Sequence, residues 1–168
     1  LRVKLWPLAQ ARAVIHRTVA QTDILLPSYE EACQLTGLRQ PEAVVRHYLN
    51  LGPRIVVLKM GPQGALLGTR DTDRTIQHFA ACPVAAVDAS GAGDTFDAAF
   101  AVSHLAGRPL AESVAFANAA AALVTTGVGT IAPIPTAGAV RELMARQGGA
   151  ADSKPPPGAA GSAGDPPC

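Results

Sequence analysis

The stretch that most limits the fold is "RIVVLK", residues 54–59. Isoleucine and two valines favour a strand, and Pro53 and Gly61 bound the run. Its apolar residues are consecutive rather than alternating. Such a strand has no face to give to water, so it belongs in a sheet covered on both sides. The rest of the chain must then supply helices to two faces.

It does so in alternation. Residues 7–21, "PLAQARAVIHRTVAQ", read as a helix with Pro7 near its first turn. "DILLP", 23–27, is a short apolar strand. A helix from Tyr29 to Thr36 stops at Gly37, and "PEAVVRHYLNL", opened by Pro41, stops at Gly52. "GALLG", 64–68, pairs with "TIQHFA", 75–80, across the polar turn "TRDTDR". "PVAAV", 83–87, reads as one more strand. Two Ala-rich helices follow, "AGDTFDAAFAVSHLAG" and "LAESVAFANAAAALVTTG", stopping at Gly107 and Gly127, and a last one covers about 136–146. Strands alternating with helices predict an α/β layer structure with a largely parallel sheet. From Gly148 onward the Gly, Ala, Ser and Pro residues have almost nothing to bury. The folded unit is therefore drawn at residues 1–146 and a disordered tail at 147–168.

Bulk properties exclude some function classes. A hydrophobic fraction of 48% in 168 residues supports a real core. A net charge of +1 gives no electrostatic case for nucleic acid or for an anionic membrane surface. No apolar run approaches the roughly 20 residues needed to span a bilayer. Cys33, Cys82 and Cys168 make no CxxC pair and no zinc spacing, which fits a reduced, cytoplasmic setting. His16, His47, His78 and His104 show no ligand spacing either. The start, "LRVKLWPLAQ", lacks the layout of a signal peptide and has no initiating methionine, so the expectation is that the beginning of the chain is missing.

Four motifs could carry chemistry. In "DASGAGDTF" an apolar run enters Gly91-Ala92-Gly93 and a helix starts near Asp94. Glycines let a backbone approach a ligand closely. The spare amides of a helix start attract an anion, and a carboxylate at that start can take a proton from a hydroxyl. The Gly-Lys-Ser/Thr ending of a Walker A loop is absent, and Phe96 stands where a dinucleotide fingerprint has its third glycine. A plain capped helix start explains the same residues, and spacing alone leaves both readings open. Ser28-x-x-Glu31 is a capping box as written; Glu31 near a magnesium ion is the alternative. "LKMGPQGALL" turns through Gly61, Pro62 and Gly64 after Lys59, which a hairpin explains; a nucleotide lying over the loop needs the same small residues. Asn118 interrupts an alanine stretch, either at a packing gap or to bond a ligand.

Taken together and in this order, the four pieces resemble the C-terminal half of a PfkB-type, ribokinase-like sugar kinase. "DASGAGDTF" is similar to that family's Asp-Thr-x-Gly-Ala-Gly-Asp signature at Asp88, Gly91, Ala92, Gly93 and Asp94, with Ala89 replacing threonine. "LLPSYEEACQLTG" resembles the Asn-x-x-Glu segment, with Ser28 replacing asparagine. "VVLKMGPQGALL" resembles the nucleotide-side strand and loop, and "ANAAAAL" the helix bordering the adenine. The opening "LRVKLW" resembles an Arg-x-x-Leu-Trp segment of the subgroup with 2-keto-3-deoxygluconate kinases and fructokinases, and Ser28 leans the same way. The resemblance spans roughly residues 1–146.

The resemblance implies a Rossmann-like three-layer α/β/α fold with a mainly parallel sheet, represented by its C-terminal half. It implies ATP and Mg²⁺ as cofactors and a small sugar or sugar acid as partner, with no nucleic acid, no membrane and a homo-oligomeric habit. Asp94 becomes the base that deprotonates the sugar hydroxyl. Gly91, Ala92 and Gly93 hold the charge of the transferring phosphoryl group. Lys59, Gly61, Gly64 and Asn118 join them around the nucleotide. Glu31 orders magnesium, and Asp88 serves a monovalent cation. The family's Gly-Gly sugar-binding motif and β-lid have no counterpart in these residues. The expectation is therefore a fragment, inactive on sugar alone, with an exposed sheet edge and apolar face. A kinase of a nucleoside or another sugar, or a non-catalytic nucleotide-binding module, are the other readings.

Overall fold

The structure, a computed structural model, describes residues 6–70 and 75–150, with side chains through Gln147. The elements run α1 (Leu8–Val19), β1 (Ile24–Leu25), α2 (Tyr29–Thr36), α3 (Pro41–Leu51), β2 (Ile55–Lys59), a 3₁₀ turn (Gly61–Gln63), β3 (Ala65–Thr69), β4 (Ile76–Phe79), α4 (Ala92–Leu105), α5 (Leu110–Val124) and α6 (Ala137–Ala150). The helix ends follow their local signals. Pro41 sits in the first turn of α3. α2 stops because Gly37 turns left-handed, with φ 77°.

The sheet order is β1-β2-β3-β4. β1 runs parallel to β2, aligning Ile24 with Ile55. β2, β3 and β4 form antiparallel pairs, so the described sheet is mixed. The hairpins expected from "GPQG" and from the 64–80 stretch account for the two antiparallel pairs.

The consecutive apolar residues of β2 are used as their pattern requires. Val56 and Leu58 join Tyr29, Val44, Val45 and Tyr48 in a core under α1, α2 and α3. Val57 points the other way, into a core with Phe96, Phe100, Val114 and Ala117 from α4 and α5. Full burial of each such side chain contributes about 1.5–3 kcal/mol. Tyr48 and Phe100 are 1% exposed. The result is a three-layer α/β/α arrangement. α6 extends one layer by packing Val140 and Leu143 against Ala119 and Ala120 of α5.

Two expectations are corrected. Residues 83–87 form no strand. Pro83 has no amide proton, and the amides of Val87 and Asp88 donate to the carbonyl oxygen of Thr125, at 2.7 and 3.1 Å. The segment is thus bonded to the end of α5 and not to a ladder. The folded part also runs past residue 146, because α6 continues to Ala150. Once α6 is docked on α5, its last turn tolerates glycine at modest cost. The rest of the expected tail, the "LRVKL" start and residues 71–74 lie outside the described residues.

Exposed apolar side chains lie on α4 and after α5 rather than on the sheet. Val102, Leu105, Val128 and Ile131 are largely exposed, Leu105 at 85%. Among the described residues β1 has a strand on one side only.

Candidate active site

The site is built where the 87–91 loop enters α4. Asp88 organises the loop by accepting hydrogen bonds from the backbone N–H of Gly129 and of Ser90, both at 2.9 Å. The Gly129 amide, with help from the Ser90 hydroxyl and amide, holds the Asp88 carboxyl below its ordinary range. Gly91, the N-cap of α4, takes φ 78°, a left-handed turn that glycine enters without strain. The regular helix ladder starts with the Thr95 N–H on the Gly91 carbonyl, at 2.9 Å.

This leaves donors unused, though not the three expected. The Ala92 N–H donates to the Ala89 carbonyl at 3.2 Å and is spent on the turn. The N–H groups of Gly91, Gly93 and Asp94 have no partner among the described residues. Of the three donors expected, the Ala92 amide is consumed by the turn that aims the helix, and the Asp94 amide is free in addition to those of Gly91 and Gly93. Three free donors at the positive end of a helix favour an anion.

A cavity of about 540 Å³ opens beside this helix start. Lys59, Gly61, Gly64, Ala92, Gly93 and Asn118 all line it. Five of them come from β2, the 3₁₀ turn, α4 and α5, and Gly64 from the link before β3, all brought together by the fold. Gly64 has φ 88° and lies so close to β4 that a Cβ would sit 1.9 Å from the Phe79 carbonyl oxygen. Asn118 is 8% exposed, and its amide nitrogen donates to the carbonyls of Phe79 and Ala80 at 3.3 Å. It thus ties α5 to the end of β4 while facing the cavity. Gly91 and Asp94 line a neighbouring, mostly apolar depression of about 420 Å³ with Val102, Phe116 and Ile134. Asp94 is exposed and lines the depression, next in sequence to Gly93, which lines the larger cavity.

Lys59 brings a half-buried cation to the cavity. Its ammonium donates to both carboxylate oxygens of Asp97, at 2.7 and 2.9 Å, and lies 6.0 Å from the Phe96 ring centre. Burial raises the Asp97 carboxyl, Lys59 draws it back down, and the nearby Asp94 charge raises it.

The acidic candidates fall differently. The Ser28 half of the capping box does not form: Ser28 occupies the N-cap of α2 but its side chain makes no cap hydrogen bond. The Pro27 carbonyl instead accepts the Lys59 N–H at 2.9 Å, and Ser28 bridges to Lys59 beside β2 and lines the cavity. Glu30, not Glu31, faces the cavity; Glu31 is exposed one position further on. Glu31 and Asp88 both lie outside the cavity lining. Among the described residues no three His, Cys, Asp or Glu side chains cluster as a ready-made metal site. A hard cation would come with phosphate oxygens and one or two carboxylates, a role open to Glu30 and Asp94.

Sequence reasoning missed Asp97, Phe96, Cys82 and Thr125. Two signals were present. Asp97 follows Asp94 by three residues on one helix face. Asn118, Ala121, Ala122 and Thr125 follow i, i+3, i+4, i+7 spacing and all line the cavity.

Comparison with known proteins agrees with this geometry. Residues 1–137 match the pfkB family of carbohydrate kinases. The chain belongs to that family. It is 35% identical to a ribokinase of Bacillus subtilis over 136 residues, which is 81% of this chain and 44% of the relative. It is 31% identical to a 2-dehydro-3-deoxygluconokinase of Thermoproteus tenax over 150 residues, 86% of this chain and 44% of that one. Among solved structures it superposes on an Arabidopsis thaliana ribokinase complexed with ribose and ATP, with a TM-score of 0.70 and 33% identity, over 77% of this chain and 43% of the other. The chain thus spans less than half the length of these relatives. No described helix is long and apolar enough to cross a membrane.

Proposed function

We propose that this chain forms the nucleotide-side and catalytic part of a kinase that transfers the γ-phosphoryl group of ATP to a hydroxyl of a sugar or sugar acid of the 2-keto-3-deoxygluconate type. The observation that carries this is the convergence of Lys59, Gly61, Gly64, Gly93 and Asn118 on one cavity, beside a helix start with free amides and a carboxylate. Magnesium-bound ATP would supply a phosphorus whose surrounding charge is partly neutralised. The chain's own residues bind, orient and move a proton. The amides of Gly91, Gly93 and Asp94 hold the charge on the transferring group, and Asp94 takes the proton from the acceptor hydroxyl. Asp94 lines the depression outside the larger cavity, which suits a base serving an acceptor that is not in the nucleotide's own space. Positioning and charge stabilisation are the main demands of phosphoryl transfer.

Glu31 is assigned to ordering magnesium through water, with Glu30 the carboxylate nearer the cavity. Asp88 is assigned to a monovalent cation. A pentose acceptor is the second reading, favoured by the 35% identity to a ribokinase.

Calorimetry with MgATP on this chain tests the nucleotide site. A panel of ribose, fructose and 2-keto-3-deoxygluconate, run on the protein that the full gene encodes, tests transfer. Asp94→Asn is expected to keep nucleotide binding and to lose about 10²- to 10⁴-fold in transfer rate. A chain that does not bind MgATP, or an Asp94→Asn protein that transfers at the parent rate, refutes the reading.

A further inference from the structure

An ion pair joins Lys59, which lines the cavity at the end of β2, to Asp97 in α4, and neither partner is spent on another described side chain. We propose that Asp97 is a positioning residue for the phosphate cradle: it holds the Lys59 ammonium beside the first turn of α4, so that this cation and the free amides of Gly91 and Gly93 face one bound phosphoryl group. The inference rests on the nucleotide reading above and adds a residue to it.

The geometry argues this in three steps. Lys59 is 14% exposed, and a Cβ on Gly93 would lie 3.8 Å from its Nζ. The ammonium therefore already stands at the cradle without any movement of the chain. An ammonium has three donors, and a bidentate carboxylate leaves at least one for a phosphate oxygen. A lysine left free would sample many rotamers, whereas one held by a carboxylate is set before the ligand arrives.

The test uses this chain with Asp97→Asn, Asp97→Glu, Lys59→Met and the Asp97→Asn/Lys59→Met double variant. MgATP and inorganic tripolyphosphate are titrated by calorimetry. The Lys59 side-chain ammonium is followed by nitrogen-15 NMR without ligand. Expected results are a loss of about tenfold in affinity for both ligands in Asp97→Asn, at least as much in Lys59→Met, and a double variant no weaker than Lys59→Met. Asp97→Glu, which keeps the charge, recovers part of the loss. The ammonium signal, sharp and slow to exchange in the parent, is lost in Asp97→Asn. An Asp97→Asn protein that binds as tightly as the parent or more tightly overturns the proposal, as do losses that simply add. Should the parent bind neither ligand, the function reading fails by itself. The ammonium signal then decides the pairing, and its survival in Asp97→Asn refutes the positioning role.

Discussion

Replacing Gly64 by alanine is a sharp test of how the cavity is built. Gly64 sits at φ 88°, ψ −132°, a region that an L side chain enters at about 1–3 kcal/mol. A Cβ there would also lie 1.9 Å from the Phe79 carbonyl oxygen and 2.7 Å from the Ala81 nitrogen. These are backbone atoms, so no rotamer relieves the contact. The end of β4 must move away from β3, which puts the Ala65–Phe79 pairing at risk, a loss of about 1 kcal/mol per hydrogen bond. The total is about 4 kcal/mol, a large share of the roughly 5–15 kcal/mol of a typical domain. Gly61→Ala is the control. Gly61 has φ 55° but nothing within 4 Å of its Cβ position, so only the conformational cost of about 1 kcal/mol applies. In urea unfolding with a slope of about 2 kcal/mol/M, the midpoint falls by about 2 M for Gly64→Ala and about 0.5 M for Gly61→Ala. Equal shifts for the two variants, or a loss under 1 kcal/mol at Gly64, would show that the close approach of the strands is wrong.

Two pH predictions follow from the core under α1 and α3. Burial pushes the Tyr48 hydroxyl up from 10.0 to about 12. The unfolded chain therefore ionises first, and stability, complete below pH 10, falls as pH rises toward 12, by about 1 kcal/mol at pH 11. Tyr48→Phe should flatten that limb in unfolding measured at pH 8 and pH 11. At the acid side, burial lowers the His16 imidazole, and His47, whose ring centre is 5.5 Å away, and Arg12 lower it further. The unfolded state then takes up the proton first, so stability falls as pH drops below the ordinary 6.5. His16→Gln should reduce that loss between pH 7 and pH 5 in thermal melts, and an unchanged acid limb would refute the assignment.

Most of the secondary structure was legible because its causes lie within a few residues. The bounds Tyr29–Thr36 and Pro41–Leu51 follow from a proline at one start and a glycine after each end; Pro41 and Gly37 act through their own backbone angles, whereas Gly52 sits where a Cβ would meet the Ala20 backbone. The consecutive apolar residues of "IVVL" required two covered faces, and Val57 on one side with Val56 and Leu58 on the other meet that requirement. The "PVAAV" segment failed the same reasoning. Its apolar pattern allows a strand, but a strand exists only with a partner, and the Thr125 carbonyl, far along the chain, took the hydrogen bonds instead.

The candidate site divides along the same line. By itself the sequence determined which loop could cradle an anion, since Gly91, Ala92, Gly93 and Asp94 are contiguous and their backbone conformation is local. It also supplied the order of motifs that a family resemblance needs. Tertiary structure alone decided that the Ala92 amide is spent on its own turn, that Glu30 rather than Glu31 faces the cavity, and that Lys59 meets Asp97, 38 positions away. No spacing rule reports such a pair. It forms because the end of β2 and the first turns of α4 are packed side by side over Phe96, and an ammonium in that place needs a carboxylate.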